Sequence, residues 1–515
     1  MPCSIFIVAA VVAAVAQGSS LPELPSFLSN TSQSVFPPLK DIAVEIFNYP
    51  ELGLNEYYAH QLVVDYFDQV EGWEVTPHAY GMDTAYTLEF EHRPQGYDGA
   101  LKSIGFLSEY DALIVGSDPL VGHGCGHNHI VLNGIAAATL ASRALVEYNV
   151  PGRIKVVGTP DEENAAGKFK LKVAGAFDDA DIWLIAHPSS VNTIQPLGSR
   201  INISPHFVGK SHQEAVRKAY EAIVAVDKIT TSLPGMRSSV TKIQNVGTYS
   251  TNVLQSQVNF GVSGSDMATV NRTVSDILDD TFPRVSFTTR QDPHGIAIKI
   301  HGPGGHASLT EKTPLDLSVA TFEAFSNRSG VSFYVPGNTS ATELDITFDV
   351  RSRYMVDLPA VVDAVRSAVG KLGSRVTMDL RYPNVEVPPF LPETWIDLVG
   401  RPAYNLSGWQ ITDQALADSD IAWVQGAHVD PQTHKLVAME KVVFQPNYNI
   451  CEPGSKSCPF NHEPGFLRLA GSEYSYTQTE IVARAQAQLA VQLLTDEAMY
   501  NSATAILAKN RVIKD

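Results

Sequence analysis

Positive charge is scarce in this sequence. Lys and Arg number 37 against 55 Asp and Glu, leaving a net charge of −18. Neutralising phosphates takes concentrated Lys and Arg, so the composition argues against nucleic acid as a partner. Long apolar runs are equally rare. The run from Ile5 to Ala16 is too short to span a bilayer as a helix, and no second run reaches that length, so no membrane segment is expected in the mature protein. Cysteine is sparse too, with four in 515 residues, so each takes a separate account. What is plentiful is ordinary: 44% hydrophobic and 18% charged residues exclude wholesale disorder. At about 150 residues per domain, this length suggests two to four domains.

The opening run is followed by small and polar residues, and Ala14-Val15-Ala16 supplies a small-residue cleavage site. Residues 1–18 therefore read as a secretory signal peptide, although its basic leader region is reduced to the amino terminus. Asn-x-Ser/Thr triplets stand at Asn30, Asn202, Asn271, Asn327, Asn338 and Asn405, consistent with a secreted glycoprotein. Cys3 leaves with the leader. Cys451 and Cys458, in CEPGSKSC, suit a local disulfide in an oxidising compartment, with two free thiols as the alternative. Cys125 is left unpaired, which makes it a candidate for metal ligation.

Helical spacing runs from Leu39 to Phe67, broken at YPELG. Short apolar strands at 102–107, 153–159 and 181–188 then alternate with a helix near 131–146, the texture of a mostly parallel α/β sheet. From Ser199 onward the order becomes strand, helix, strand, strand, helix, strand over 199–291, and it repeats over 292–384. A duplicated α+β unit is expected, with a single larger insertion as the alternative. The last segment, 385–515, returns to α/β texture and ends in an Ala-rich helix.

Chemistry concentrates at strand ends. GHGCGHNH (122–129) reads as a metal site, a redox thiol in a flexible loop, or a glycine turn that happens to hold histidines. Glycines on either side let Cys125 and His127 converge, and thiolate with imidazole is a zinc-favouring pair. Glu162 and Glu163 are adjacent in a loop, where one carboxylate can bind a metal while its neighbour faces a water. His187 follows the strand WLIA. All three clusters fall at the carboxyl edge of strands, where open α/β sheets bind ligands.

Together GFLSEYDAL, GHGCGHN, GTPDEE, AHPS, NHEPGFLRLAGSE and the early YPELG resemble the aminobenzoyl-glutamate and indole-acetyl-amino-acid hydrolase group, within the two-metal aminoacylase and carboxypeptidase family. The resemblance covers about 38–198 and 385–500. It implies a three-layer α/β catalytic domain (37–198 and 385–515) with two divalent ions, zinc or manganese, interrupted by an α+β lid. Cys125 is then the bridging thiolate, and His127, Glu163, His187 and His462 are the further ligands. Glu162 becomes the general base and Asp111 the aspartate that orients a ligand. His123 and His129 have no matching role.

The lid departs from the group, whose members have one lid and dimerise through it, sending a lid histidine into the partner's site. In GPGGHASL, His306 fits that histidine; in GKSHQEA, His212 fits poorly. Arg351, in DITFDVRS, matches the arginine that holds a substrate carboxylate, and Asn252, in GTYSTN, a substrate-binding asparagine. Asn338 sits comparably to Asn252 but in a glycosylation triplet, and a glycan does not fit a closed cleft. These features imply a secreted hydrolase of small-molecule amides, monomeric through its doubled lid. Two other readings remain: an amide-forming or trimming enzyme of specialised metabolism, or a non-catalytic binding relative.

Overall fold

The computed structural model describes residues 21–510 apart from 116–119, 165, 234, 244–250, 279–280, 309–311, 354–356, 383–384, 389, 414–416, 427–438 and 456–457. The expected leader at 1–18 lies outside the described residues.

A central sheet of six strands runs in the order Trp73–Pro77, Tyr86–His92, Gly152–Gly158, Ser103–Ser108, Ile182–Leu184, Val442–Phe444. The last four are mutually parallel, and the first two join antiparallel at one edge. Strands covered on both faces read as near-continuous apolar runs, and every residue of Ser103–Ser108 is buried. Helices Leu24–Asn48, His127–Glu147 and Glu473–Thr495 pack together over one face. Trp183, Phe177, Leu171 and Ile421 cluster on the other.

Among the described residues, His127–Glu147 is the one helix long and apolar enough to cross a membrane, and it is a core helix. A Cβ on Gly134 would meet the Leu107 carbonyl oxygen at 2.9 Å, so only glycine lets the helix lie this close to its strand. The α/β region also begins earlier than the expected boundary at 37. Leu24, Leu28, Phe36, Leu39, Ile42 and Ile46 form one buried stripe, and this packing carries the first helix through Pro37 and Pro38.

The inserted region corrects the expected order. One four-stranded antiparallel sheet joins Met236–Ile243, Glu343–Ser352, Ser199–Val208 and Arg375–Tyr382; a second joins Ser286–Asp292, Gly295–His301, Gln257–Ser263 and Ser332–Tyr334. Each has the spatial order 2-3-1-4 in its own strands, with helices after its first and third. The second unit is nested between the second and third strands of the first, so the two do not follow in tandem. The expected boundary at 291/292 cuts the hairpin in which Asp292 pairs with Gly295. Hydrophobic pattern locates a strand but not its partner, and here the outer partners are far apart in sequence.

Candidate active site

YPELG, EYDAL and PDEE are held together by backbone. Ala112 N donates to Glu51 O at 2.7 Å, and a Cβ on Gly53 would strike Asp161 Oδ1. Glu109 and Asp111, two apart in extended chain, both reach the histidine at the start of the core helix. Asp111 Oδ1 lies 2.8 Å from His127 Nδ1, and Asp111 Oδ2 accepts from Glu163 N at 2.9 Å. His127 Nδ1–H thus points backward, which leaves Nε2 facing Glu109 at 3.6 Å, Glu163 at 3.7 Å and Glu162 at 4.0 Å. Gly126, at φ +82°, makes the turn that aims Cys125 and His127 alike, and a Cβ there would hit Pro188.

His187 donates from Nδ1 to the Pro188 carbonyl, and its Nε2 lies 3.5 Å from Cys125 Sγ. His462 arrives from the far end of the chain with a left-handed backbone, φ 70°, a conformation that non-glycine residues hold mainly at functional sites. Its amide donates to Gly124 O at 2.8 Å, and its Nε2 lies 3.3 Å from Glu163 Oε1. Asn461 ties Cys125 O to Pro188 O.

Three overlapping donor groups result: Cys125 with His127 and His187, Cys125 with Glu163 and His462, and His127 with Glu162 and Glu163. His127 Nε2, Glu163 Oε1 and His462 Nε2 are buried without hydrogen-bond partners. Imidazole lone pairs aimed at carboxylates are unfavourable unless a proton or cation lies between them, so the donor set fits a divalent ion. A cavity of about 280 Å³ opens onto the cluster, lined by Cys125, Glu162, Glu163, His187 and His462 on one side and by Asn252, His306 and Asp418 on the other. Asn252 donates to Glu163 Oε2 at 2.8 Å, and the His306 and His462 ring centroids are 4.6 Å apart.

Electrostatics separates the two glutamates. Burial, reinforced by Glu109 and Glu163, raises the Glu162 carboxyl well above its usual range. Burial would raise Glu163 as well, but His462, His127 and Asn252 hold it below that range. Burial and the neighbouring His127 bring His187 down to about 4, and burial with His462 and Arg351 keeps His306 neutral. Burial also raises the Cys125 thiol.

Several sequence expectations change here. Arg351 does not line the cavity. Its Nε and Nη2 bond Asp349, and its Nη1 bonds Asp418. Arg200 engages the same two aspartates, so both guanidiniums are committed before any substrate arrives. Asn202 is buried in a central strand, paired on both sides, and the folded chain has no room for a glycan there. Asn30, Asn327, Asn338 and Asn405 are exposed, and Asn271 is half-buried. His212 bridges Ala341 O and Val335 N within the lid. His123 contacts Ile46 O, and His129 contacts Ala470 O and Thr479, so both serve packing. Cys451 and Cys458 are joined as a disulfide with their Cα atoms 6.0 Å apart.

One buried cation carries no signal in the sequence. Lys168 Nζ bridges Glu109 and Asp420 beside Glu162. Burial disfavours its charge, but the two carboxylates more than restore it. Glu109 was within reach, because its spacing from Asp111 places both on one side of an extended segment. Nothing local marks Lys168 or Asp418.

Over 188 residues the chain is 35% identical to the Xaa-Arg dipeptidase of Mus musculus, covering 35% of this chain and 42% of that protein. It is 26% identical over 264 residues to a p-aminobenzoyl-glutamate hydrolase subunit from Escherichia coli K12, covering 46% and 52%. The chain is a homologue of these hydrolases. It spans about half the length of the curated relatives it matches. The solved structure of a protein assigned as an aminohydrolase from methicillin resistant Staphylococcus aureus superposes with a TM-score of 0.52 at 14% identity, covering 91% of this chain and 98% of that one, which shows a shared fold. No protein-family profile matches the chain.

Proposed function

We propose that the protein is a metal-dependent amidohydrolase or peptidase that cleaves the amide bond of N-acyl amino acids or dipeptide-like substrates. The observation that carries this reading is the convergence of His127 Nε2 and His462 Nε2 on Glu163 Oε1, all three buried without hydrogen-bond partners, beside a cavity that Glu163 and His462 line. Cys125, His127, Glu163, His187 and His462 would hold two divalent ions, and the mixture of thiolate, imidazole and carboxylate favours zinc. Ions bound there would polarise an amide carbonyl and acidify a water. Glu162, whose carboxylate lines the cavity, would take a proton from an attacking water and pass it to the leaving amine. His306, neutral and on the opposite wall, donates to the developing oxyanion. Asn252, anchored through its Nδ2 to Glu163, leaves Oδ1 to accept from the substrate.

The chain acts as a monomer in this reading, because its own inner lid unit brings His306 to its own cavity. A stable dimer in light scattering, with activity lost on dissociation, would sink that part. The leader and the exposed triplets at Asn30, Asn327 and Asn405 support secretion, tested by sequencing the mature amino terminus from culture medium. The decisive experiment is metal analysis joined to a panel of N-acyl amino acids and dipeptides. About two equivalents of zinc with turnover of a panel member is expected. Metal-loaded protein that hydrolyses nothing overturns the reading.

A further inference from the structure

Strand register places three arginines in one row of the outer lid sheet, with Arg351 opposite Arg200 on one side and Arg237 on the other. Directly opposed residues share a face, so the three guanidiniums leave the sheet on the same side. Arg200 and Arg351 close on Asp349 and Asp418. Arg237 instead crosses to the inner unit. Its Nη1 donates to Ser308 O at 2.7 Å, and Ser239, on the same strand, donates to Ala307 O at 3.3 Å. From the other side, Ala307 N donates to Asn252 O at 2.8 Å, and Val253 and Leu254 pair with His306 and Gly305. The segment carrying His306 is therefore clamped between two strands.

That clamp has a chemical result. Ser308 N lies 3.1 Å from His306 Nδ1, and the Ser308 hydroxyl lies 2.6 Å from the same nitrogen. A backbone amide can only donate, so Nδ1 carries the lone pair and a neutral ring holds its proton on Nε2. Nε2 faces the cavity wall, 3.9 Å from Asp418 Oδ1. The proton thus sits on the nitrogen from which an oxyanion could be bonded. Ser239 holds the carbonyl end of the peptide whose amide caps Nδ1, and Arg237 holds the carbonyl of Ser308 itself, so losing the Arg237 contact loosens the Ser308 backbone and hydroxyl and with them the choice of tautomer.

We infer that Arg237 is a positioning residue for His306, fixing through Ser308 the tautomer that donates into the cavity. This rests on the reading of His306 as the oxyanion donor. Two measurements test it. In metal-free protein carrying ¹⁵N-labelled histidine, the His306 resonances, assigned by their loss in His306→Ala, should show Nε2 protonated and Nδ1 bare. Arg237→Met should turn them into a mixture of tautomers. In metal-loaded protein, Arg237→Met should lower kcat about 10²-fold at unchanged KM and metal content, as His306→Ala does, and the double variant should fall no further. Unchanged tautomers, or losses that multiply in the double variant, overturn the positioning role while leaving His306 in place. A silent His306→Ala overturns the donor reading and the inference together. If Arg237→Met fails to fold, Arg237→Lys, which keeps the charge but not the planar fork, is carried through the same cycle under the same criteria.

Discussion

Two buried charged clusters meet at the same cavity, one around Glu163 and the other reaching it only through Asp418. In the first, imidazoles and carboxylates face one another through atoms that make no hydrogen bond. In the second, two guanidiniums and two carboxylates close on each other. Burying charge is costly unless it is paired, so the second cluster is complete as folded and the first needs a cation. Under the proposed function the two divide the work: the incomplete cluster would do the chemistry, and the complete one joins the inserted region to the α/β domain.

The sharpest way to break this comparison is Glu162→Gln. It removes the proton carrier from the incomplete cluster while leaving the ligand atoms, so turnover should fall about 10²- to 10⁴-fold with metal content unchanged. Near-full activity in a metal-replete variant would remove Glu162 from its role. Next comes the cation itself. An ion bound only by the folded state at about a thousand times its Kd adds roughly 4 kcal/mol, so exhaustive chelation should lower the melting temperature and zinc should restore it. An unchanged melting curve would mean that the first cluster is as self-sufficient as the second.

The contrast also explains what could be read in advance. Cys125, His127, Glu162, Glu163 and His187 lie in short motifs at strand ends, and a strand end is a local feature. Their convergence then follows from the parallel sheet. His462, in a turn before a helix, is marked only by the resemblance of NHEPGFLRLAGSE. Arg351 misled because its motif is local but its partners are not: Asp418 comes from beyond the lid, and only the fold shows that it occupies the guanidinium. The lid failed in the same way. All eight of its sheet strands were visible as apolar runs, yet grouping them requires knowing that Glu343–Ser352 pairs with Ser199–Val208 across the whole inner unit.

The complete cluster has its own test. Asp418→Ala leaves two buried guanidiniums sharing the one carboxylate of Asp349 and should cost about 3–5 kcal/mol in denaturant unfolding, with the metal site intact. Its pH signature has a definite sign. Burial raises the Asp418 carboxyl, but Arg351 and Arg200 outweigh it and hold the folded value below the unfolded one near 3.8. The contribution is therefore fully present above about 3.8 and is lost as acid takes the pH through the lower, folded value. The stability gap between the native protein and Asp418→Asn should narrow over that acid range, and a constant gap would contradict the pairing.

The smallest effect expected comes from the disulfide, which braces the chain just ahead of His462. Cys451 and Cys458 are separated by 7 positions. Chain entropy gives a loop this short roughly 2–3 kcal/mol, less than the loss expected from opening the Asp418 cluster. Neither sulfur lines the cavity, so Cys451→Ser/Cys458→Ser should melt earlier yet retain its turnover well below the transition. The bridge would then act on the unfolded chain, while Asn461 and the His462 amide hold the ligand through their bonds to Cys125 O and Gly124 O. A loss of zinc affinity at full foldedness would show instead that the covalent brace sets the reach of His462, and that the incomplete cluster depends on strain carried from the loop before it.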